Sequence, residues 1–282
     1  EQMAQKAGDS FVTVERLLLA LALQAAVALG GDSPWGQALV GAGVFAGLVL
    51  AREFAANGAR IAICARDDQE LDQASDDLLS RGADVLAIKC DVTNMPEVES
   101  MVSRVRERFG KIDVLVNNAG ILRDGLLAND VDGWIKKLPT PQWKQAIDVN
   151  LTGCYLMARE VVADVLKRKL KQSVIINISS ISSAGNPGQS NYAASKAGLD
   201  ACTRTWALEL ASHGVRVAGI APGVIETPIL NHITEEAKSA LHADIPLGRF
   251  GIPHEVWLAL KFILECDYVT GRVIYVDGGS NF

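Results

Sequence analysis

The sequence is poor in aromatic residues, at 6%, and has no block of basic ones: 27 Lys and Arg face 33 Asp and Glu, a formal net charge of −6. A surface that tracks a phosphate backbone needs positive charge, so nucleic acid is not an expected partner. Cysteine is as sparse in pattern as in number. Cys64, Cys90, Cys154, Cys202 and Cys266 form neither a Cys-x-x-Cys pair nor a metal-ligand spacing. Inert thiols, no disulfide framework, no metal and a reducing, cytoplasmic setting are therefore expected. Long apolar runs are missing too. Leu17 to Leu29 and Ala38 to Ala51 are each shorter than the roughly 20 residues that span a bilayer, and Gly30-Gly31-Asp32-Ser33-Pro34 parts them. No membrane association is expected. The first run lies behind Glu1, Asp9, Glu15 and Arg16 rather than a basic start, which argues against a secretory leader.

What the chain does have is 49% apolar residues over 282 positions, enough for one large α/β core. From residue 37 onward, β-rich apolar runs alternate with amphipathic segments. The runs are Gln37 to Val40, Arg60 to Ala65, Asp84 to Lys89, Val114 to Asn117, Ser173 to Ile178, Arg216 to Ile220 and Val273 to Val276; helix-like segments cover 67–81, 94–109, 141–170 and 191–213. Near-continuous apolar strands with helix-length crossovers predict an α/β domain over 36–282, a doubly wound parallel sheet of seven strands. Residues 1–35 break this rhythm and read as a helical extension, with helices over Met3 to Ala7 and Thr13 to Leu29 around Gly8-Asp9-Ser10.

The chemistry is concentrated at the predicted strand ends. In "SNYAASKAG", Tyr192 and Lys196 are four apart, which puts phenol and ammonium on one helical face. Upstream, the strand "VIINISS" ends in Ser179 and Ser180, so a hydroxyl leaves a strand terminus just before that helix. "LVNNAG" ends another strand with Asn118, Ala119 and Gly120, small and amide residues that let backbone approach a ligand. "IAPGVIETP" leaves a third through the turn Pro222-Gly223 towards Ile225 and Thr227. Ligands of open α/β sheets bind at this edge.

Together, NNAG, the serine, Tyr-x-x-x-Lys and the Pro-Gly turn resemble the short-chain dehydrogenase/reductases, over about residues 36 to 282. "NNAGILRDGLL", "DVNLTG", "NYAASKAG", "IPLGRFG" and "VTGRVIYVDGG" are similar to 3-oxoacyl-[acyl-carrier-protein] reductases of the FabG kind. The resemblance implies a Rossmann-like fold and hydride transfer between a nicotinamide and a carbonyl on a small-molecule or acyl-carrier-bound substrate. It also implies a homodimer or homotetramer. Tyr192 would protonate the oxygen, Lys196 would support it with positive charge, and Ser180 would hold the oxygen as charge develops. Asn150 matches the fourth member, which helps hold a water relay beside the lysine. Counting from the strand selects Ser180, whereas the family's gap of thirteen to the tyrosine selects Ser179; the strand end is preferred because a loop absorbs one residue.

For the cofactor, Asp91-Val92 matches the family's adenine contact. Ala65-Arg66 offers no acid for a ribose hydroxyl but a guanidinium for the 2′-phosphate of NADP(H), against the diluting charges of Asp67-Asp68. The phosphate turn is altered. Where the family has Thr-Gly-x-x-x-Gly-x-Gly, this chain has Val40-Gly41-Ala42-Gly43-Val44-Phe45-Ala46-Gly47, with a ring where backbone should meet the pyrophosphate. A reductase-fold binding or scaffold protein with a defective cofactor loop is thus the alternative expectation. Arg123 to Pro141 and Ile229 to Ile245 are expected to line the substrate pocket. At the N-terminus, "AQKAGDSFVTVERLLLALAL" is similar to one helical hairpin of the N-terminal domain of ClpB-type chaperones.

Overall fold

The computed structural model describes residues 23–29, 38–42, 46–226 and 235–280. Strand β1 (Leu23–Leu29) and β2 (Ala38–Ala42) are followed by α1 (Ala46–Ala56), β3 (Ala59–Ala65), α2 (Asp68–Ser80), β4 (Asp84–Lys89), α3 (Met95–Phe109) and β5 (Val114–Asn117). A hairpin of β6 (Ala128–Val131) and β7 (Trp134–Lys137) precedes α4 (Thr140–Ile147). That helix continues through a π-helical turn, Asp148–Gly153, into α5 (Cys154–Arg168). Then come β8 (Ser173–Ile178), a 3-10 turn at Ile181–Ala184, α6 (Ser190–Leu210), β9 (Val215–Pro222), α7 (Glu235–Ala243), α8 (Pro253–Glu265) and β10 (Val273–Val276).

The main sheet runs β10-β9-β8-β5-β2-β1-β3-β4. Strand alternation decides its two faces. In β5, Val114 and Val116 join one apolar cluster with Phe54 of α1, Leu78 of α2 and Trp257 of α8. Leu115 points to the other, with Met101 of α3, Met157 of α5 and Leu210 of α6. The sheet is therefore covered on both sides, and the carboxyl ends of its parallel strands are left for a ligand.

One expectation is corrected. The seven predicted strands are present and parallel, but the sheet has eight, because β1 lies antiparallel between β2 and β3. Residues 23–29 were expected to end a helix. A short apolar run reads equally as a buried strand or a helix segment, and here β2 and β3 offer unpaired backbone on both sides, which outweighs alanine's helix propensity. Part of the expected helical extension is thus built into the sheet. The chaperone-like stretch up to residue 22 lies outside the described residues, as do Gly43, Val44, Phe45 and Thr227.

The segment Arg123 to Pro141, expected as a plain loop, holds the β6–β7 hairpin. Asp132 and Gly133 carry φ of 53° and 83°, the conformation a two-residue hairpin turn demands and Asp-Gly favours. That dipeptide was the available signal. The hairpin stands away from the core, with Trp134 80% exposed.

Candidate active site

Helix α6 carries Tyr192, Ser195 and Lys196 along one face over the ends of β5 and β8. Lys196 is buried, at 3% exposure; its Nζ donates to Ile178 O, the last carbonyl of β8, at 2.7 Å and stands 5.6 Å from the centre of the Tyr192 ring. An ammonium so enclosed must be hydrogen-bonded, and the strand end provides the acceptor. Ser195, three residues after Tyr192, donates its hydroxyl back to Tyr192 O at 2.7 Å, the usual intrahelical bond of a serine.

Asn150 approaches from the opposite side. It is fully buried in the π-helical turn, a distortion that recurs at functional sites. Its Oδ1 accepts from Ile121 N at 2.7 Å, and its Nδ2 donates to Ile121 O at 2.9 Å and Ser195 Oγ at 3.2 Å. Gly120 completes the cluster: a Cβ built there would stand 3.6 Å from both Asn150 Oδ1 and Lys196 Nζ. Tyr192, Lys196, Asn150 and Gly120 are therefore brought together by the fold. Cys154 borders them, donating its Sγ to Asn150 O at 3.2 Å; burial pushes its thiol up to about 11, which keeps it protonated and unreactive.

The two serines differ in setting. Ser180 is half-buried, extended, and accepts from Ser182 N at 3.1 Å as it caps the 3-10 turn. Ser179 is buried, its N–H paired to Ile220 O at 2.7 Å, and its Oγ finds no partner among the described residues. Only the Ser180 hydroxyl lies open at the strand end.

The expected cofactor contacts divide into four groups. Asn118 and Ala119 are buried beside Gly120, with Asn118 Nδ2 lacking a partner among the described residues. Arg66 and Asp91 sit at the ends of β3 and β4 and face each other at 3.8 Å. The neighbouring acids are already engaged: Asp67 caps α2 by accepting from Glu70 N, and Asp68 pairs with Lys89 at 2.5 Å. Val92 packs on the π-helical turn so closely that a Cβ at Gly153 would fall 2.6 Å from its Cγ2, which requires glycine there. At the end of β9, Pro222 is paired in register with Val276, and Gly223 lies against Asp277, whose Cα would be 2.8 Å from an added Cβ. Ile225 bridges to Gly251. Gly41 is in β2, longer than expected, and Gly47 is buried in the first turn of α1.

Sequence reasoning missed the polar chain behind the site. Asn117 Nδ2 donates to Asn177 Oδ1, and Asn177 Nδ2 to Thr203 Oγ1, each at 2.9 Å; this ties β5 to β8 to α6. The signal was an asparagine inside each of two apolar strands, where a polar group must be paired.

The enoyl-(acyl carrier protein) reductase family model matches residues 45–281. The chain belongs to the short-chain dehydrogenase/reductase family. It is 44% identical over 192 residues to the 3-oxoacyl-[acyl-carrier-protein] reductase FabG of Thermotoga maritima, covering 67% of this chain and 74% of that protein. The 3-oxoacyl-[acyl-carrier-protein] reductase of Synechocystis sp. is 37% identical over 238 residues, covering 83% of this chain and 91% of that protein. Among solved structures, a variant of the actinorhodin polyketide ketoreductase with NADPH superposes with a TM-score of 0.77 at 32% identity, over 85% of this chain and 95% of that one. A short-chain dehydrogenase/reductase from Mycobacterium marinum gives 0.74 at 30%, over 84% and 91%. This short-chain reductase is an enzyme of the oxidoreductase class.

Proposed function

We propose that this enzyme reduces a 3-oxoacyl thioester, free or on an acyl carrier, to the 3-hydroxy product with NADPH. The observation that carries the reading is the hydrogen-bonded chain from Asn150 through Ser195 to the backbone of Tyr192, with Lys196 beside it, at the carboxyl edge of a parallel sheet. The residues fit the nicotinamide end of the cofactor: Gly120 leaves room beside Lys196 Nζ, and the buried Asn118 amide has a donor to offer. A reduced nicotinamide, when bound, supplies the hydride. Lys196, Asn118, Ala119 and Gly120 would hold that end; Gly41 and Gly47, with Gly43 by its place in the sequence motif, would serve the phosphates. Asp91 and Val92 would border the adenine, Arg66 would read the 2′-phosphate, and Pro222, Gly223 and Ile225, with Thr227 by its place in the sequence motif, would serve the far side.

On the substrate, the Tyr192 hydroxyl gives its proton to the carbonyl oxygen, and Ser180 Oγ donates a hydrogen bond to the same oxygen as negative charge builds on it. Lys196, fixed on Ile178 O, keeps a positive charge beside the phenol as the proton leaves. Asn150 holds the floor beneath the lysine and borders the water relay that restores the proton. The same reading makes the enzyme a cytoplasmic homodimer or homotetramer. Among the described residues no helix is long and apolar enough to cross a membrane, and Leu208, Leu258, Phe262 and Tyr275 are exposed apolar side chains on α6, α8 and the edge strand β10.

The test is NADPH consumption with acetoacetyl-coenzyme A. Tyr192→Phe keeps the ring and removes the acid, so turnover falls by about 10²- to 10⁴-fold while NADPH binding is retained. Ser180→Ala is costly and Ser179→Ala mild. Turnover by Tyr192→Phe within a few-fold of the parent would reject these roles, and the reverse serine ranking would move the hydrogen bond to Ser179.

A further inference from the structure

Helix α6 starts without the device that usually closes a helix. First-turn N–H groups need acceptors from outside, yet Gln189, at the cap position, spends its amide elsewhere: Nε2 donates to Asp124 Oδ2 at 3.1 Å, and Oε1 accepts from Asn186 at 3.0 Å. The Tyr192 N–H is met instead by Asn191 Oδ1, at 2.8 Å. The same carboxamide donates to Arg123 O at 2.8 Å and to Gln142 O at 3.3 Å. Asn191 is fully buried, and three of the four hydrogen-bonding places of its side chain are filled.

Those two carbonyls have a particular position. The chain leaves the core at Arg123, makes the β6–β7 hairpin, and returns at Gln142 in α4. One side chain therefore clamps both ends of the excursion to the backbone of the tyrosine. The clamp is reinforced next to it, where Gly125 N donates to Gly188 O at 2.7 Å and Gly125 bridges to Gln189.

We propose that Asn191 is a positioning residue for the reaction: it sets where the Tyr192 hydroxyl stands relative to the 123–142 segment, so that this segment and the proton donor move as one body. The inference rests on Tyr192 being the proton donor. Proton transfer depends steeply on distance, and a misplacement of about 1 Å costs on the order of 10²-fold in rate. Asn191 touches no reacting atom; it acts through the backbone of its neighbour.

Asn191→Ala in the full chain is expected to lower kcat roughly 10- to 100-fold with NADPH affinity, read by fluorescence titration, unchanged. The solvent deuterium isotope effect on kcat rises, because proton transfer becomes the slow step. A purely structural role would leave that isotope effect where it is. Gln189→Ala, at a half-buried position, serves as the second variant and shows the same pattern in smaller measure. Parent-like kcat and isotope effect in a folded Asn191→Ala overturn the proposal; if that variant does not fold, the same result in Gln189→Ala does so. Tyr192→Phe runs alongside. If it is active, the reading of Tyr192 and this inference fall together; if it is inactive while the Asn191 and Gln189 variants match the parent, the coupling alone fails.

Discussion

The two halves of the sheet are covered by elements that are held in different ways. Around α6 the fastening is polar and buried: Asn150, Asn177, Asn191, Ser195 and Lys196 all bond fixed partners. Around α1 it is apolar packing with ion pairs on top. Phe54 meets Trp257 edge-on at 5.0 Å, Arg52 pairs with Asp77 at 2.7 Å, and Glu53 with His254 at 2.8 Å. Apolar packing of about the right volume accepts altered sequence; a buried hydrogen-bond network does not, since each orphaned group costs the full desolvation penalty. The chain follows that difference. The motif proposed to be catalytic matches the family's pattern, whereas the half proposed to hold the cofactor's phosphates has an altered glycine turn and an additional strand.

Breaking the apolar half has the largest expected effect on stability. Phe54 is fully buried between α1 and α8, so Phe54→Ala leaves a cavity and costs about 3 to 5 kcal/mol, measured by urea unfolding. At saturating NADPH the folded variant keeps its kcat, because no hydrogen bond around Tyr192 changes. A large drop in kcat per folded molecule would show that the two halves are not independent.

The same contrast explains what could be read from the sequence. Strand periodicity located the seven parallel strands because a strand buried on both faces is apolar throughout. The proposed catalytic set could be named from the sequence because Tyr192 and Lys196 have the spacing of one helix face and Asn150 lies in a stretch, DVNLTG, that resembles the family's. Strand β1 was not legible: its pairing depends on neighbours far along the chain, and Leu-Gln-Ala-Ala-Val-Ala-Leu has no period that separates strand from helix. The clamp by Asn191 was hidden for another reason. A lone asparagine beside a motif tyrosine carries no sequence signal until the Arg123 and Gln142 carbonyls are brought to it.

A smaller effect sharpens the comparison at the cofactor. Arg66 is exposed and only loosely held by Asp91, at 3.8 Å, so the ion pair itself is worth little and the guanidinium is available to a phosphate. Arg66→Ala is expected to weaken NADPH binding about tenfold, or roughly 1.4 kcal/mol, and to leave NADH binding nearly unchanged. Equal losses for both would mean that Arg66 does not read the 2′-phosphate. Absence of NADPH binding by the parent would instead point to the altered turn Gly41 to Gly47.

The smallest effect distinguishes the halves by sign. On the α1 side, the bond from Arg249 holds Glu255, at the start of α8, down at about 2, helped by Ile252 N–H; the bond from Arg52 lowers Asp77 of α2. A carboxyl lowered in the folded state contributes stability that is present above its unfolded value and is lost as pH falls towards its folded one. On the α6 side, burial raises Asp124, partly offset by its bond from Gln189. A carboxyl raised in the folded state contributes stability below its unfolded value, and that contribution is lost as pH rises through the folded one. Acid should therefore loosen the packing of α1, α2 and α8, whereas at Asp124 it relieves the cost of a buried charge even as the bond from Gln189, which favours the carboxylate, weakens. Hydrogen exchange followed by segment from neutral pH to about pH 3 reads this directly, once rates are corrected for intrinsic acid dependence. The exposed Glu255 pair limits the change to below about 1 kcal/mol. Protection falling equally in α1 and at residues 186–192 would mean that charge, like packing, does not divide the molecule there.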